Sequence, residues 1–206
     1  MLAGYYVPSD GSIQFDGRIL NGKKANEITK LGIARTFQNI RLFSELTVVE
    51  NVMIAYHCRI RSTFLGAVFR FPLYRREEKE MYEGAMKLLD EVGLTHVTSE
   101  RSNALPYGMQ RRLEIARALA TGPRILLLDE PAAGMNPRET MDLIDLIWQL
   151  QDSHRLTVFL IEHDMKFVMK ICERIKVLDY GFTIAEGTPD EIQNDPRVIE
   201  AYLGEA

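Results

Sequence analysis

The stretch Arg124-Ile-Leu-Leu-Leu-Asp129-Glu130-Pro131 decides the fold, because a short run of large apolar residues ends in two adjacent carboxylates. Ile125 to Leu128 has the length and composition of a β-strand buried on both faces, which is typical of parallel sheets. After such a strand, one carboxylate can face a hydrated Mg²⁺ while the other orients an attacking water, as phosphoryl transfer requires. A bare Asp-Glu pair, however, is more often a helix cap that follows a strand.

The elements on either side of this strand predict a parallel βαβ unit. A helix is predicted from about Gly108 to Ala120 before it, and a second helix from Pro137 to Asp152 follows it. Leu156 to Ile161 is again apolar and β-branched, so it is predicted as the next strand. Strand, helix and strand in succession favour a right-handed crossover between parallel neighbours.

Other strands and turns are predicted towards the two ends of the chain. Ser12 to Phe15 and Arg18 to Leu20 flank the turn pair Asp16-Gly17 and predict a hairpin. Ile33 to Gln38 is a further short strand candidate. A second hairpin is predicted for Ile175 to Leu178 with Phe182 to Ala185.

Residues 47–104 are predicted to form a mostly helical block. Thr47-Val-Val-Glu50 fits a capping box and opens a helix through about Arg59. Phe64 to Tyr74 is rich in aromatic residues, and Arg75 to Val92 is predicted as a long helix. Another capping box at Thr188-Pro-Asp-Glu191 precedes a last helix that starts at Asp195-Pro196 and ends near Gly204.

Two motifs around the carboxylate pair carry a family resemblance. Upstream lies Leu105-Pro-Tyr-Gly-Met-Gln110 with its helix, and downstream lies Ala133-Gly-Met-Asn136-Pro137. In order and spacing these resemble the signature motif and D-loop of ABC ATPases, with residues 124–131 as the Walker B motif. The resemblance implies an α/β, P-loop NTPase-like ABC ATPase core over residues 1–206, with a mostly parallel sheet. It also implies an N-terminal antiparallel β remnant and a helical subdomain, residues 47–104.

The resemblance assigns roles to four residues around the end of the predicted sheet. Asp129 is implied to lie on the metal side, and Glu130 to act as general base or water-orienting group. His163, within Ile161-Glu-His-Asp164, matches the switch histidine, which contacts the γ-phosphate and the attacking water. Gln38 matches the Q-loop glutamine, which reaches Mg²⁺ and links the core to the helical block. Without the family match, a lone histidine after a strand would be structural and Gln38 an ordinary surface residue.

The signature residues Pro106, Tyr107, Gly108 and Met109, together with Asn136, are implied to contact nucleotide. A glycine-containing helix N-terminus concentrates free amides and the positive end of the helix dipole, so it can bind a γ-phosphate. In the family that phosphate belongs to ATP held on the opposite subunit. This chain departs from the common LSGGQ form at Met109, and Asn136 replaces the usual D-loop aspartate. We therefore expect weaker contacts to the phosphate than in a glutamine-bearing version.

The phosphate-binding pattern G-x-x-x-x-G-K-[ST] is nearly matched by Gly17-Arg-Ile-Leu-Asn-Gly22-Lys23-Lys24. We reject this match because Lys24 has no hydroxyl for Mg²⁺, the segment begins in a hairpin turn, and no amphipathic helix is expected directly after it. By the family alignment the true P-loop would precede Met1, so the chain is expected to cover about four-fifths of a family domain. We therefore expect negligible ATP hydrolysis by the chain alone, and association through uncovered strand edges.

Three further features resemble the ATP-binding subunit of bacterial branched-chain amino acid importers. They are the run Asn39 to Val52, the aromatic insertion at about residues 59–78, and the tail from Ile184 to Gly204. This resemblance implies ATP and Mg²⁺ as cofactors and a peripheral location on the cytoplasmic face of the membrane. It implies transmembrane permease subunits and a second ATP-binding subunit, like or unlike, as partners, and a periplasmic or lipoprotein substrate-binding protein as an indirect one. A non-transport ABC ATPase of DNA repair or translation, or an inert interaction fragment, are the alternatives.

Composition limits these alternatives. The 25 Lys and Arg residues against 29 Asp and Glu give a net charge of -4, so no overall positive field attracts nucleic acid. Cys58 and Cys172 lack metal-ligand or CxxC spacing and are expected as thiols. The apolar stretch Phe64 to Tyr74 is too short for a bilayer, which needs about 20 residues. Any membrane association is therefore expected to run through a partner.

Overall fold

The computed structural model describes residues 1–59 and 72–203, and its first element is the predicted N-terminal hairpin. Strands β1 (Gln14–Phe15) and β2 (Arg18–Ile19) pair antiparallel and are shorter than the sequence pattern predicts. Asp16 and Gly17 form the turn with φ angles of 51° and 70°. Positive φ at both central residues suits the twist of a two-residue hairpin, which explains the Asp-Gly pair.

A short helix, α1 (Ala25–Lys30), follows Lys24 directly. The sequence analysis, which expected no amphipathic helix directly after this segment, did not predict this six-residue helix. The Glu27 carboxylate accepts the Lys24 N–H at 2.8 Å, and Ile28 is buried against the hairpin and the sheet, so six residues suffice. Gly4 approaches this helix so closely that a Cβ there would lie 2.9 Å from the Ala25 nitrogen. Its φ of 76° also favours glycine.

The described part of residues 47–104 contains two α-helices, α2 (Val48–Tyr56) and α3 (Pro72–Glu91). The capping box is present: the Thr47 hydroxyl accepts the Glu50 N–H, and the Glu50 carboxylate accepts the Thr47 N–H at 2.8 Å. Residues 60–71 lie outside the described residues, and most of the aromatic segment Phe64 to Tyr74 falls within that range. Three single-turn 3₁₀ helices join this region in the described residues, at His57–Arg59, Thr95–Val97 and Ser102–Ala104.

A three-stranded parallel sheet positions the carboxylate pair. It consists of β3 (Ile33–Arg35), β4 (Ile125–Asp129) and β5 (Thr157–Ile161), in that order across the sheet. Strand β4 lies in the middle, and Leu126 and Leu128 are almost fully buried. The α/β class with a parallel sheet is thus confirmed, although β3 ends at Arg35 and not at Gln38.

Two long helices pack around this sheet and bury the main core. Helix α4 (Tyr107–Ala120) follows the signature residues, and α5 (Pro137–His154) forms the crossover from β4 to β5. Helix α6 (Met165–Ile171) follows β5 and was not predicted. The core of α2, α3, α4 and α5 is continuous, and its members include Val52, Leu89, Leu113, Leu126, Leu143 and Leu150.

The C-terminal region contains the second predicted hairpin and two helices. Strands β6 (Ile175–Asp179) and β7 (Phe182–Gly187) pair antiparallel. Helix α7 (Pro189–Gln193) starts at the predicted capping box, and α8 is Pro196–Leu203. None of the described helices is long and apolar enough to cross a bilayer.

Strand β5 has a hydrogen-bonded neighbour on one side only among the described strands. Phe159 and Ile161 on this strand are 48% and 52% exposed. A groove of about 490 Å³ runs beside it, and residues 171–176 form the opposite wall. This uncovered ladder edge is the feature from which we expect association of the isolated chain.

Candidate functional site

Asp129 ends the central strand and is held by an arginine from the neighbouring strand. Its Oδ2 accepts a hydrogen bond from Arg35 Nη2 at 2.7 Å, and both side chains are only partly exposed. The Arg35 guanidinium also lies over the Phe37 ring, 5.2 Å from its centroid. Arg35 therefore fixes the orientation of Asp129 and was not singled out by the sequence, because its partner is 94 residues away.

Glu130 sits at a sharp turn immediately after β4. Its φ of 43° is unusual for a residue with a side chain, and its N–H donates to the Ile161 carbonyl at 2.9 Å. Such backbone conformations persist where the surrounding structure fixes them, and they cluster at functional sites. A quarter of the Glu130 side chain is exposed to solvent.

Gln38 and His163 both converge on Glu130. Gln38 Nε2 donates to Glu130 Oε2 at 2.7 Å, across 92 residues of sequence. His163 Nδ1 lies 3.6 Å from Glu130 Oε1, within ion-pair range but longer than a good hydrogen bond. The structure thus places all three predicted catalytic side chains in one group. Each carboxylate oxygen of Glu130 has one of them beside it.

Glu162 is a further residue at this site that the sequence reasoning missed. Its side chain is 3% exposed, yet its carboxylate faces backbone amides: Oε1 accepts the Ala132 N–H at 3.3 Å and Oε2 the His163 N–H at 3.1 Å. The same Oε2 lies 3.9 Å from His163 Nδ1. One buried carboxylate therefore ties the turn after β4 to the turn after β5. The sequence feature that could have identified Glu162 as a site residue is its position directly before His163.

The signature residues lie at the start of α4, as predicted. Pro106 is the N-cap, Tyr107 begins the helix, and the Pro106 carbonyl accepts the amides of Met109 and Gln110. Pro106 and Tyr107 are exposed, whereas Met109 packs partly against the main core. Within the described residues, no direct hydrogen bond or ion pair joins residues 105–109 to Glu130 or His163. The chain therefore has two separate groups of predicted site residues.

Asn136 has a clear local role in this structure. Its Oδ1 accepts the amides of Arg138 and Glu139 at 3.0 Å each, and the Glu139 carboxylate accepts the Asn136 N–H. Asn136 is thus the N-cap of α5, in a capping box that the sequence analysis did not recognise. The same Glu139 carboxylate lies 3.5 Å from the position of a Cβ on Gly108, so this cap adjoins the signature helix.

The donor atoms around Asp129 fit a shared magnesium site better than an all-protein one. In the described part of the chain no group of three or more His, Cys, Asp or Glu residues could hold a metal. Mg²⁺ typically takes one or two protein oxygens and completes its shell with water and phosphate oxygens. The partly exposed Asp129 carboxylate can supply one such oxygen, and the amide oxygen of Gln38, whose Nε2 donates to Glu130, is the second candidate. A metal at Asp129 would compete with Arg35 for Oδ2.

Two family models match the chain. A model described as ABC transporter matches residues 1–133, and a model described as branched-chain amino acid ATP-binding cassette transporter matches residues 183–206. The chain is 50% identical over 205 residues to the high-affinity branched-chain amino acid transport ATP-binding protein BraF of Pseudomonas aeruginosa. This match covers all of the chain and 80% of that relative.

Two solved structures extend the comparison to three dimensions. An ATP-binding cassette of an ABC transporter, solved in its ADP conformation, superposes with a TM-score of 0.82 at 32% identity. That superposition covers 99% of this chain and 81% of the other. A dimeric ATP-binding cassette bound to ADP and Pi matches with a TM-score of 0.72 at 26% identity, over 89% of this chain and 75% of the other.

Proposed function

The chain belongs to the ABC transporter family, and on that premise we propose that it is the ATP-binding subunit of a branched-chain amino acid importer. The observation that carries its role in hydrolysis is the convergence of Gln38 and His163 on Glu130. The match of residues 183–206 to the branched-chain amino acid type, and the likeness to BraF, support the transport assignment over DNA repair or translation.

In this proposal Glu130 accepts a proton from the attacking water. Gln38 holds Oε2 through its amide N–H, and His163 lies beside Oε1, so the carboxylate is oriented from both sides. The Glu162 carboxylate accepts the His163 N–H and so fixes the backbone at His163. Asp129 and the Gln38 amide oxygen would hold Mg²⁺, which neutralises charge on the phosphate oxygens when bound. The chain's own residues thus supply water activation and metal orientation.

The signature group would serve a nucleotide held by a second ATP-binding subunit. Its separation from Glu130 and His163 within this chain supports that division, since two subunits must meet to bring both groups to one nucleotide. The dimeric cassette bound to ADP and Pi supports the same arrangement. Closure of the two subunits on ATP would then drive the permease rearrangement.

We assign the permease contact to the cleft between residues 37–43 and α2, at the junction with the helical subdomain, residues 47–104. The cleft has a volume of about 510 Å³. Phe43 and Ile54 line it and are 49% and 37% exposed, so the cleft presents apolar surface to solvent beside the Arg117 guanidinium, which lies 5.5 Å from the Phe43 ring centroid. A permease segment seated there places the chain on the cytoplasmic face of the membrane. The substrate-binding protein would contact the permease alone.

Glu130→Gln tests this proposal in the transporter assembled with its permease and second ATP-binding subunit. The amide keeps the size of the side chain but cannot take a proton, so Mg-dependent ATP turnover should fall by about 100-fold or more. Glu100→Gln is the matched control, because Glu100 is an exposed carboxylate of the helical region. This variant should retain parental turnover. Parental turnover in Glu130→Gln would exclude Glu130 as base. Absence of turnover in the parent complex would favour the inert-fragment alternative.

A further inference from the structure

Helix α4 carries a buried ion pair that the proposed mechanism does not use. Arg111 is fully buried and Glu114 is 2% exposed, and their side chains are joined at 2.8 Å. Among the described residues these are the two charged residues that are buried as a whole, whereas Glu162 is buried in its side chain only. Burial of two charges is costly, and replacement of such a pair by apolar residues is often neutral or stabilising. The pair therefore calls for a reason other than stability.

Three further hydrogen bonds of the pair go to the glutamine loop, residues 36–41. Arg111 Nη1 donates to the Phe37 carbonyl at 2.6 Å, and Nη2 donates to the Gln38 carbonyl at 2.8 Å. Glu114 Oε1 accepts the Arg41 N–H at 3.3 Å. Cation and anion thus hold the loop at both ends. The planar guanidinium can serve two carbonyls and a carboxylate at once, which a lysine ammonium cannot match in geometry.

This contact bears directly on Glu130. The Gln38 backbone carbonyl is held by Arg111 while the Gln38 side chain donates to Glu130. Arg111 Nη2 also donates to the Tyr107 hydroxyl at 3.1 Å, so the same guanidinium reaches the first residue of the signature helix. A chain of four residues therefore connects the two groups of site residues that have no direct contact.

We propose that Arg111 is a positioning residue for Gln38: with Glu114 it clamps the glutamine loop to α4, so that the signature helix and Gln38 move as one unit. The inference deepens the proposed function and rests on it for the role of Gln38. The clamp itself is a property of this chain and can be tested without hydrolysis.

The test uses the double variant Arg111→Met/Glu114→Leu, in which both charges are replaced by apolar side chains of similar size. It should keep the urea midpoint of the parent, because no unpaired charge is left buried. Amide hydrogen exchange at Arg41, whose N–H Glu114 accepts, should accelerate at least about tenfold, since the loop loses this bond and the two bonds that hold its carbonyls. Arg112→Met is the control on the same helix, because within the described residues Arg112 donates one long bond of 3.4 Å, to the Val92 carbonyl, and none to the loop.

The assembled transporter supplies the second readout. There the double variant should lower kcat for ATP at least about tenfold with little change in KM, because Gln38 contacts Glu130. Arg111→Lys keeps a cation beside Glu114, so it should keep a urea midpoint near that of the parent but show faster exchange and a lower kcat than the parent. Parental exchange at Arg41 in a folded double variant would overturn the clamp. Faster exchange with parental kcat would overturn the positioning role, whereas a parent without turnover would count against the proposed function and not the clamp.

Discussion

Asn51 offers a quantitative test of how the loop before α2 is held. The side chain is fully buried, and its Oδ1 accepts the Phe43 N–H at 2.9 Å. Its Nδ2 lies within hydrogen-bond distance of three carbonyls: those of Phe43 at 3.1 Å, Leu46 at 3.3 Å and Thr47 at 3.0 Å. One amide group therefore organises residues 43–47, the segment that carries Phe43 into the proposed permease cleft.

The expected cost of Asn51→Ala follows from these contacts. An amide nitrogen has two protons, so at most two of the three carbonyls receive a strong bond, and the Phe43 N–H makes the third. A buried group left without a partner costs about 1–3 kcal/mol, and rearrangement of a surface loop lets water recover part of that cost. We expect a loss of about 3 kcal/mol in the free energy of unfolding.

Urea unfolding followed by circular dichroism measures this change. Asn194→Ala is the matched control, because Asn194 is exposed and makes one bond to the Asp190 carbonyl, so its loss should stay within about 0.5 kcal/mol. Asn51→Asp keeps the shape and the acceptor but removes both donors, and should destabilise at least as much as alanine at neutral pH. A difference between Asn51→Ala and the control below about 1 kcal/mol would refute this account of the loop.

Three further predictions concern the site and the C-terminal cap. Met109→Gln should raise ATP turnover of the assembled transporter by restoring an amide to the signature; unchanged or lower turnover would count against the role given to Met109. Glu162→Gln keeps one carbonyl acceptor for the two turns it joins, and should lower kcat while the urea midpoint stays near that of the parent; a parental kcat would contradict its positioning role. Hydrogen bonds from Thr188 lower the pKa of Glu191 below 4.5, so its stabilisation is present above that value and is lost as pH falls through the lowered pKa. Glu191→Gln should therefore make the urea midpoint depend less on pH between about pH 6 and pH 3. The same pH dependence as in the parent would show that titration of Glu191 does not contribute to the stability of the cap.

The sequence predicted those parts of the fold that follow from local pattern. The buried run before Asp129, the capping box at Thr47 and the turn pair Asp16-Gly17 each specify their geometry within a few residues. Helix α1 was missed because six residues show less than two turns of periodicity, and its stability comes from the burial of Ile28 against other elements. Its existence is a tertiary effect that propensity does not reveal.

The same distinction separates the predicted site residues from those that were missed. Asp129 ends β4, Glu130 follows it, and His163 lies just past β5. The two strands run parallel, so a common sheet end brings these residues together whatever else the chain does. Gln38 is different, because β3 ends at Arg35 and the residues after it have no strand to direct them. Its direction towards Glu130 requires contacts from α4, more than 70 residues later in the chain.

That requirement explains why a buried charge pair is found on a helix whose other core positions are apolar. A carbonyl of an irregular loop can be held in place only by a donor, and an apolar side chain would pack against the loop without fixing its rotation. Arg111 supplies two donors in one plane, and Glu114 neutralises the cation while it accepts the Arg41 amide. Burial raises the pKa of Glu114 and the neighbouring Arg111 opposes that rise, so the anion depends on its partner. Loss of Arg111 alone should therefore be more disruptive than loss of the pair, so Arg111→Met should lower the urea midpoint more than Arg111→Met/Glu114→Leu does.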